Sequence, residues 1–184
     1  MREFNLQFRP LQGDDNRSGF CCGNIELDRF FQRYAGQNQF RHHIGTSYVL
    51  NADDGIAGFV TVSAGEITAE MLSKAVKHQL PDYPLPVLRI ARLAVDKHYQ
   101  GLGLGKKLLS YSFQLALEMK ARYGCVGVVV DAKAESVVFY QKLGFISLLA
   151  LSGELGDRPA PQLMFIALRT IEKAVASVAL KNAK

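Results

Sequence analysis

Hydrophobic and polar positions along this chain change period several times, and each change marks an element. From Glu3 to Phe8, the apolar residues Phe4, Leu6 and Phe8 alternate with polar ones, which predicts a half-buried strand that Pro10 ends. A polar loop with Gly13, Asp14, Asp15 and Asn16 comes next, and the period then becomes helical. Asn24 is placed to cap a helix on which Leu27, Phe30, Phe31, Tyr34 and Ala35 form one apolar stripe, with Arg29 and Arg33 outside it. Thr46 to Leu50 and Ile56 to Ala64 read as strands joined by a hairpin turn at Asp53-Asp54-Gly55. Thr68 to Gln79 predicts a modest helix with Met71, Leu72, Ala75 and Val76 on its apolar face. Pro81, Pro84 and Pro86 then stiffen an extended connector.

The second half begins with an apolar strand, Leu88 to Val95, that breaks at His98-Tyr99-Gln100. Three glycines at alternate positions, Gly101, Gly103 and Gly105, lead into a long helix from about Leu104 to Tyr123 that is apolar on most sides and therefore expected to be mostly buried. Cys125 to Asp131 is a continuous apolar run, the pattern of a strand covered on both faces. A short helix from about Ala134 to Lys142 carries Val137, Val138 and Tyr140, and Leu143-Gly144-Phe145 closes it with glycine as a C-cap. Ser152 to Gln162 reads as a mobile loop and Leu163 to Leu168 as a final strand. Ile171, Ala174, Val175, Val178 and Ala179 recur at helical spacing in a tail helix that should pack on this domain or a neighbour. This order predicts an α/β (α+β) fold, one mixed sheet with helices on both faces in a single domain.

Composition narrows the class. The 184 residues, 48% hydrophobic and 21% charged, suit one globular domain. No apolar run reaches the roughly 18 residues of a membrane span, and the N-terminus leads into no signal-peptide core, so a soluble, cytoplasmic protein is expected. Three cysteines, two of them adjacent at Cys21 and Cys22, suggest neither a disulfide framework nor a zinc site; Cys125 reads as a small core residue. His42, His43, His78 and His98 receive no metal or catalytic role, and no metal is expected.

Charge changes the picture more. Of the net +5, most lies beside the glycine loop, where Arg89, Arg92, Lys97, Lys106 and Lys107 face Asp96 alone. Such a patch attracts a polyanion, CoA or a nucleic acid among them, although a solvated basic surface is the simpler alternative. Strand, glycine loop, helix is a phosphate-binding order: the first turn of a helix presents unpaired N–H groups at the positive end of its dipole, and glycines let the backbone approach an anion closely. Neither G-x-x-x-x-G-K-[ST] nor G-x-G-x-x-G is present. The pattern that fits is Q-x-x-G-x-G, as Gln100, Gly103 and Gly105.

That spacing resembles the acyl-CoA pyrophosphate loop of the GNAT N-acetyltransferases. About 35 residues on, Val137-Val138-Phe139-Tyr140-Gln141-Lys142-Leu143-Gly144-Phe145 resembles the same family's second acyl-CoA motif; Lys133 and Ser136 stand where the family often has asparagine and alanine. The resemblance implies a twisted sheet whose strand Leu88 to Val95 splays from Cys125 to Asp131 to form an acetyl-CoA slot. The backbone of Leu93, Ala94 and Val95 would hold the acyl arm. Gln100, Gly101, Leu102, Gly103, Leu104, Gly105 and Lys106 would cradle the pyrophosphate, with Ser136 and Lys142 also on the cofactor. Tyr140 would protonate the departing thiolate, a sensible role for a phenol whose ordinary pKa is near 10. On this reading residues 1–168 form the acetyltransferase domain and 169–184 a helical tail.

From about Phe20 to Leu168 the chain is more narrowly similar to the acetyltransferase toxins of toxin–antitoxin modules. The residues that carry this are Cys22 to Asp28, Tyr34 to Gln39, Pro81 to Pro86 and Arg92-Leu93-Ala94-Val95-Asp96. That resemblance implies acetylation of the α-amine of aminoacyl-tRNA, a block on translation, and a ribbon-helix-helix antitoxin as partner. An α-amine with pKa near 8 needs no strong protein base, and none is obvious here. Arg89, Arg92 and Lys107, with Lys106 and also Arg29, Arg33 and Arg41, would meet tRNA phosphates. A GNAT for a small amine or a protein N-terminus, and a CoA-binding or antitoxin-binding module without chemistry, stay open, as does a homodimer.

Overall fold

The computed structural model describes residues 5–53, 55–72, 81–148 and 161–182, with the side chains of the closing helix described to residue 177. Two compact units are distinguished, Met1–Ser63 with Ile90–Gln114, and Ala64–Arg89 with Leu115–Lys184.

The first unit opens with β1 (Gln7–Pro10), which pairs antiparallel with β2 (Thr46–Ala52), Phe8 opposite Leu50. β2 pairs antiparallel with β3 (Gly55–Ile67), Val49 opposite Phe59, while Asp54 of the predicted hairpin turn lies outside the described residues. Between β1 and β2 the chain is helical: α1 (Ile25–Arg29), a π-helical turn (Phe30–Tyr34) and α2 (Ala35–Phe40). Asn24 caps α1 as its sequence position predicts, its side chain accepting the Leu27 N–H at 3.2 Å. The π turn, in which the Ala35 N–H reaches back to the Phe30 carbonyl, has no counterpart in the sequence pattern, and it alters the stripe. The extra residue rotates the next turn about the helix axis, so Phe30, Phe31 and Ala35 are buried while Tyr34 is exposed. Phe31 stacks on Phe59 with centroids 4.1 Å apart, and Phe20 meets both edge-on. These rings, with Leu11, Val49 and Ala94, are the core of this unit.

The second unit holds the remaining strands. β5 (Gly127–Ala132) pairs antiparallel with β7 (Gln162–Ala167), and β7 with the two-residue β6 (Ile146–Ser147), too short to leave a period in the sequence. β5 is buried along nearly its full length, as its unbroken apolar run predicts. Gly127 is required there, because a Cβ would collide with the Ile166 carbonyl and the Phe165 ring of β7. Ile67, Leu72, Leu85, Val87, Val129, Leu148 and Phe165 form the core. Of the helix predicted from Thr68 to Gln79, the described start is a 3-10 turn, Ala69–Met71, followed by extended Leu72; residues 73–80 lie outside the described residues, as does most of the loop expected at Ser152 to Gln162.

β4 (Leu85–Val95) and α3 (Leu104–Arg122) contribute to both units, as β3 does. β4 starts three residues before the predicted boundary and includes Pro86, which lacks an N–H but still accepts the Val126 N–H at 2.8 Å. On α3, Leu104, Leu108, Leu109, Ser112 and Ala116 are buried, whereas Phe113, Leu117 and Met119 are half-buried, so the helix has one covered face where fuller burial was expected. A 3-10 turn (Ala134–Ser136), α4 (Val137–Lys142) and α5 (Leu168–Asn182) complete the elements. α5 buries Leu168 and Ile171 but leaves Ala174 and Val175 exposed; the side chains of Val178 and Ala179 lie outside the described residues. The strands form one seven-stranded mixed sheet in the order β1-β2-β3-β4-β5-β7-β6. Among the described residues no helix is long and apolar enough to cross a membrane.

Candidate acyl-CoA and transfer site

In the first unit the candidate site is the end of β4, the loop after it and the start of α3. Ala94 is buried between half-buried Leu93 and Val95. Asp96 then turns the chain. It is only 4% exposed, yet it accepts the Cys21 N–H at 2.8 Å and the His98 N–H at 3.0 Å, and bonds His98 Nδ1 at 2.7 Å. Desolvation pushes this carboxyl up, but the N–H groups of Cys21 and His98 outweigh it and hold the acid below its usual range. His98, which looks isolated in sequence, is therefore the partner of Asp96, and its bond fixes the 3-10 turn Lys97–Tyr99.

Gln100 begins the glycine loop. Its Nε2 donates to the Cys22 carbonyl at 2.8 Å and to the Val95 carbonyl at 3.0 Å. Gly101 and Gly103 adopt φ of +78° and +77°, a conformation that costs any other residue, and nothing lies within 4 Å of where a Cβ would be. These two glycines are thus needed for backbone shape, while Gly105 sits in the first turn of α3. Leu102 is exposed at the loop tip and Leu104, 3% exposed, anchors the helix. The Gly103 carbonyl takes the N–H groups of Lys106 and Lys107, at 3.1 and 3.3 Å. The loop therefore presents its backbone N–H groups at the positive end of a 19-residue helix. Lys106 and Lys107 are exposed beside it.

Arg92, on β4, lies with its guanidinium carbon 4.1 Å from the Phe30 ring centroid; burial lowers its pKa against the opposing pull of Glu26. Arg29, Arg33 and Arg41 are exposed. Nearby, Asp28 accepts the Cys22 N–H at 2.7 Å. Burial first and then Asp28 push the Cys22 thiol up to about 11, so it is no nucleophile at neutral pH.

In the second unit, Tyr140 is 6% exposed, and burial pushes its phenol up to about 12. Its ring meets Phe139 and Phe145 edge-on at 5.1 and 5.3 Å. The L-G-F sequence explains this placement. Gly144 takes φ +93°, its N–H bonds the Gln141 carbonyl at 3.0 Å, and the Phe145 N–H bonds the Tyr140 carbonyl at 3.1 Å. That is a Schellman cap with its customary apolar contact, here made by Phe145 on Tyr140, so one glycine sets both the end of α4 and the packing of the candidate acid. Ser136 is half-buried at the N-cap of α4 and Lys142 is exposed in its last turn. Arg89 is ion-paired with Asp131 on β5. Cys125 is buried, with its thiol 3.2 Å from the Gly127 carbonyl, the core role expected of it. Among the described residues no cluster of His, Cys, Asp or Glu could hold a metal ion.

Sequence reasoning missed Asp28 and Asp96 as supports of the site. The signal for Asp96 was present: an aspartate directly after an apolar strand commonly bonds the backbone two residues on. Its bond to Cys21, 75 positions away, left no such trace.

The acetyltransferase (GNAT) domain family matches residues 43–147. A protein of Mycobacterium tuberculosis described as a tRNA-acetylating toxin is 29% identical over 140 residues, covering 74% of this chain and 82% of the relative. The crystal structure of a tyrosine-to-phenylalanine mutant of KacT superposes with a TM-score of 0.79 at 26% identity, covering 92% of this chain and 98% of that one. A crystal structure of AtaTR bound with AcCoA gives 0.75 at 25% identity over the same shares. The chain belongs to the GNAT acetyltransferases, N-acetyltransferases with acetyl-CoA as the donor.

Proposed function

We propose that this protein acetylates the α-amine of aminoacyl-tRNA and so acts in the cytoplasm as a toxin that blocks translation. The observation that carries the reading is the similarity to the tRNA-acetylating toxin over 140 residues, 74% of this chain and 82% of that relative. In this reading residues 1–168 are the catalytic domain and 169–184 a helical tail. The backbone of Leu93 to Val95 holds the acyl arm, the N–H groups of the loop from Gln100 to Lys106 bind the pyrophosphate, and Ser136 and Lys142 flank the cofactor. The amine nitrogen attacks the thioester carbonyl carbon; the C–N bond forms, the C–S bond breaks, and Tyr140 gives its proton to the sulfur as the amine loses one to solvent. The products are N-acetylaminoacyl-tRNA and CoA. Arg89, Arg92 and Lys107 bind tRNA phosphates, and a ribbon-helix-helix antitoxin neutralises the toxin.

The experiment is transfer of labelled acetyl from acetyl-CoA to total charged tRNA, with uncharged tRNA as control. Label confined to charged tRNA supports the reading. No label from a protein that still binds acetyl-CoA would replace it with a small amine or a protein N-terminus as acceptor.

A further inference from the structure

Cys21 and Cys22 belong to no helix or strand, yet all four of their backbone polar groups are held. The Cys21 N–H bonds Asp96 at 2.8 Å and its carbonyl accepts the Lys97 N–H at 2.8 Å. The Cys22 N–H bonds Asp28 at 2.7 Å and its carbonyl accepts Gln100 Nε2 at 2.8 Å. Three of the four partners come from the turn that opens the glycine loop, and the fourth from α1. The second hydrogen of Gln100 Nε2 goes to the Val95 carbonyl, where β4 ends. Both amide donors of an exposed side chain are thus spent on carbonyls within the protein, and neither is left for a phosphate.

We infer that Gln100 is a positioning residue for the acetyl-CoA reaction. Its amide clamps the end of β4 to the Cys22 backbone and so fixes where the glycine loop starts. Gly101 and Gly103 take positive φ with open space where a Cβ would lie; the Gly103 carbonyl ties one end of the loop to the first turn of α3, and this anchor at the loop's first residue fixes the other end, so it bears on the direction of the N–H groups between them. Preorganised donors bind an anion without the cost of ordering a loop at the moment of binding.

The test uses the intact protein without any acceptor, so its outcome is independent of whether tRNA is the substrate. Acetyl-CoA and S-acetylpantetheine, which has the acyl arm but no pyrophosphate, are titrated against wild type, Gln100→Met and Gln100→Arg. Gln100→Met should weaken acetyl-CoA about tenfold, a loss of the size expected for the clamp's two hydrogen bonds, and leave S-acetylpantetheine unchanged. Gln100→Arg, which can also donate to two carbonyls, should recover most of the loss. Amide hydrogen exchange of the ligand-free Gln100→Met protein should accelerate in peptides covering 20–23 and 100–104. Unchanged acetyl-CoA affinity would overturn the inference, and so would equal weakening of both ligands, which signals general damage. Weakened acetyl-CoA with unchanged exchange would mean that Gln100 touches the pyrophosphate itself.

Discussion

Burial pushes the Tyr140 phenol up to about 12, so across neutral and mildly alkaline pH it stays protonated, as the proposed acid for the thiolate must be. Tyr140→Phe should lower kcat by about 10²–10⁴ with little change in KM for acetyl-CoA, measured by steady-state acetylation of charged tRNA. In the wild type the pH profile should rise as the substrate amine loses its proton near 8 and then stay flat, with any falling limb from Tyr140 only near 12. The same shift has a stability consequence. The unfolded phenol ionises first, near 10, so stability present below that pH is lost as pH rises toward 12. Arg89 is a weaker candidate for tRNA than its exposure suggests, because Asp131 already balances it. Asp131→Asn should therefore lower KM for charged tRNA, and it should cost less than about 1 kcal/mol of stability because the pair is solvent-screened. An unchanged or higher KM would remove Arg89 from the binding surface.

At the scale of elements, both motifs act through glycines at positive φ. Gly144→Ala should destabilise the protein by about 1–2 kcal/mol and also reduce kcat, because Tyr140 and Phe145 lose the Schellman geometry that packs them together. Thermal unfolding and kcat measured on one preparation test both effects. Gly127→Ala offers a contrast: its Cβ would press on Ile166 and Phe165, so overpacking should cost about 1–3 kcal/mol while acetyl-CoA affinity stays unchanged in the folded fraction. Element identity was readable where a period ran long enough to be counted. β5 and α3 emerge from their apolar runs, although α3 proved covered on one face only. The π turn was not readable, because an inserted residue breaks the period on which the reading depends. Of the segment from Thr68 to Gln79, which carried a helical pattern, Leu72 is extended and buried in a core with Ile67, Val87 and Phe165, while residues 73–80 lie outside the described residues.

For the whole molecule, charge is the property that bears on function. Most of the +5 lies beside the glycine loop. If Arg89, Arg92 and Lys107 each neutralise a phosphate, log affinity for charged tRNA should fall with log salt at a slope of about −2 to −3, while acetylation of a small amine should hardly change. A flat salt response would count against tRNA as the acceptor. The sequence by itself determined the family, the strand, loop and helix that carry the acyl-CoA motif, and the identity of Tyr140 as candidate acid. These are local: a glycine spacing, a cap and an apolar period are written in consecutive residues. Only the tertiary structure decided that Asp96 and Gln100 hold Cys21 and Cys22, that Arg92 rests on Phe30, that Arg89 is paired with Asp131, and that Tyr140 is buried far enough to keep its proton. Each depends on residues far apart in the chain whose side chains carry no periodic signal. Such contacts are set by packing, which brings a polar group within hydrogen-bonding distance or strips it of water.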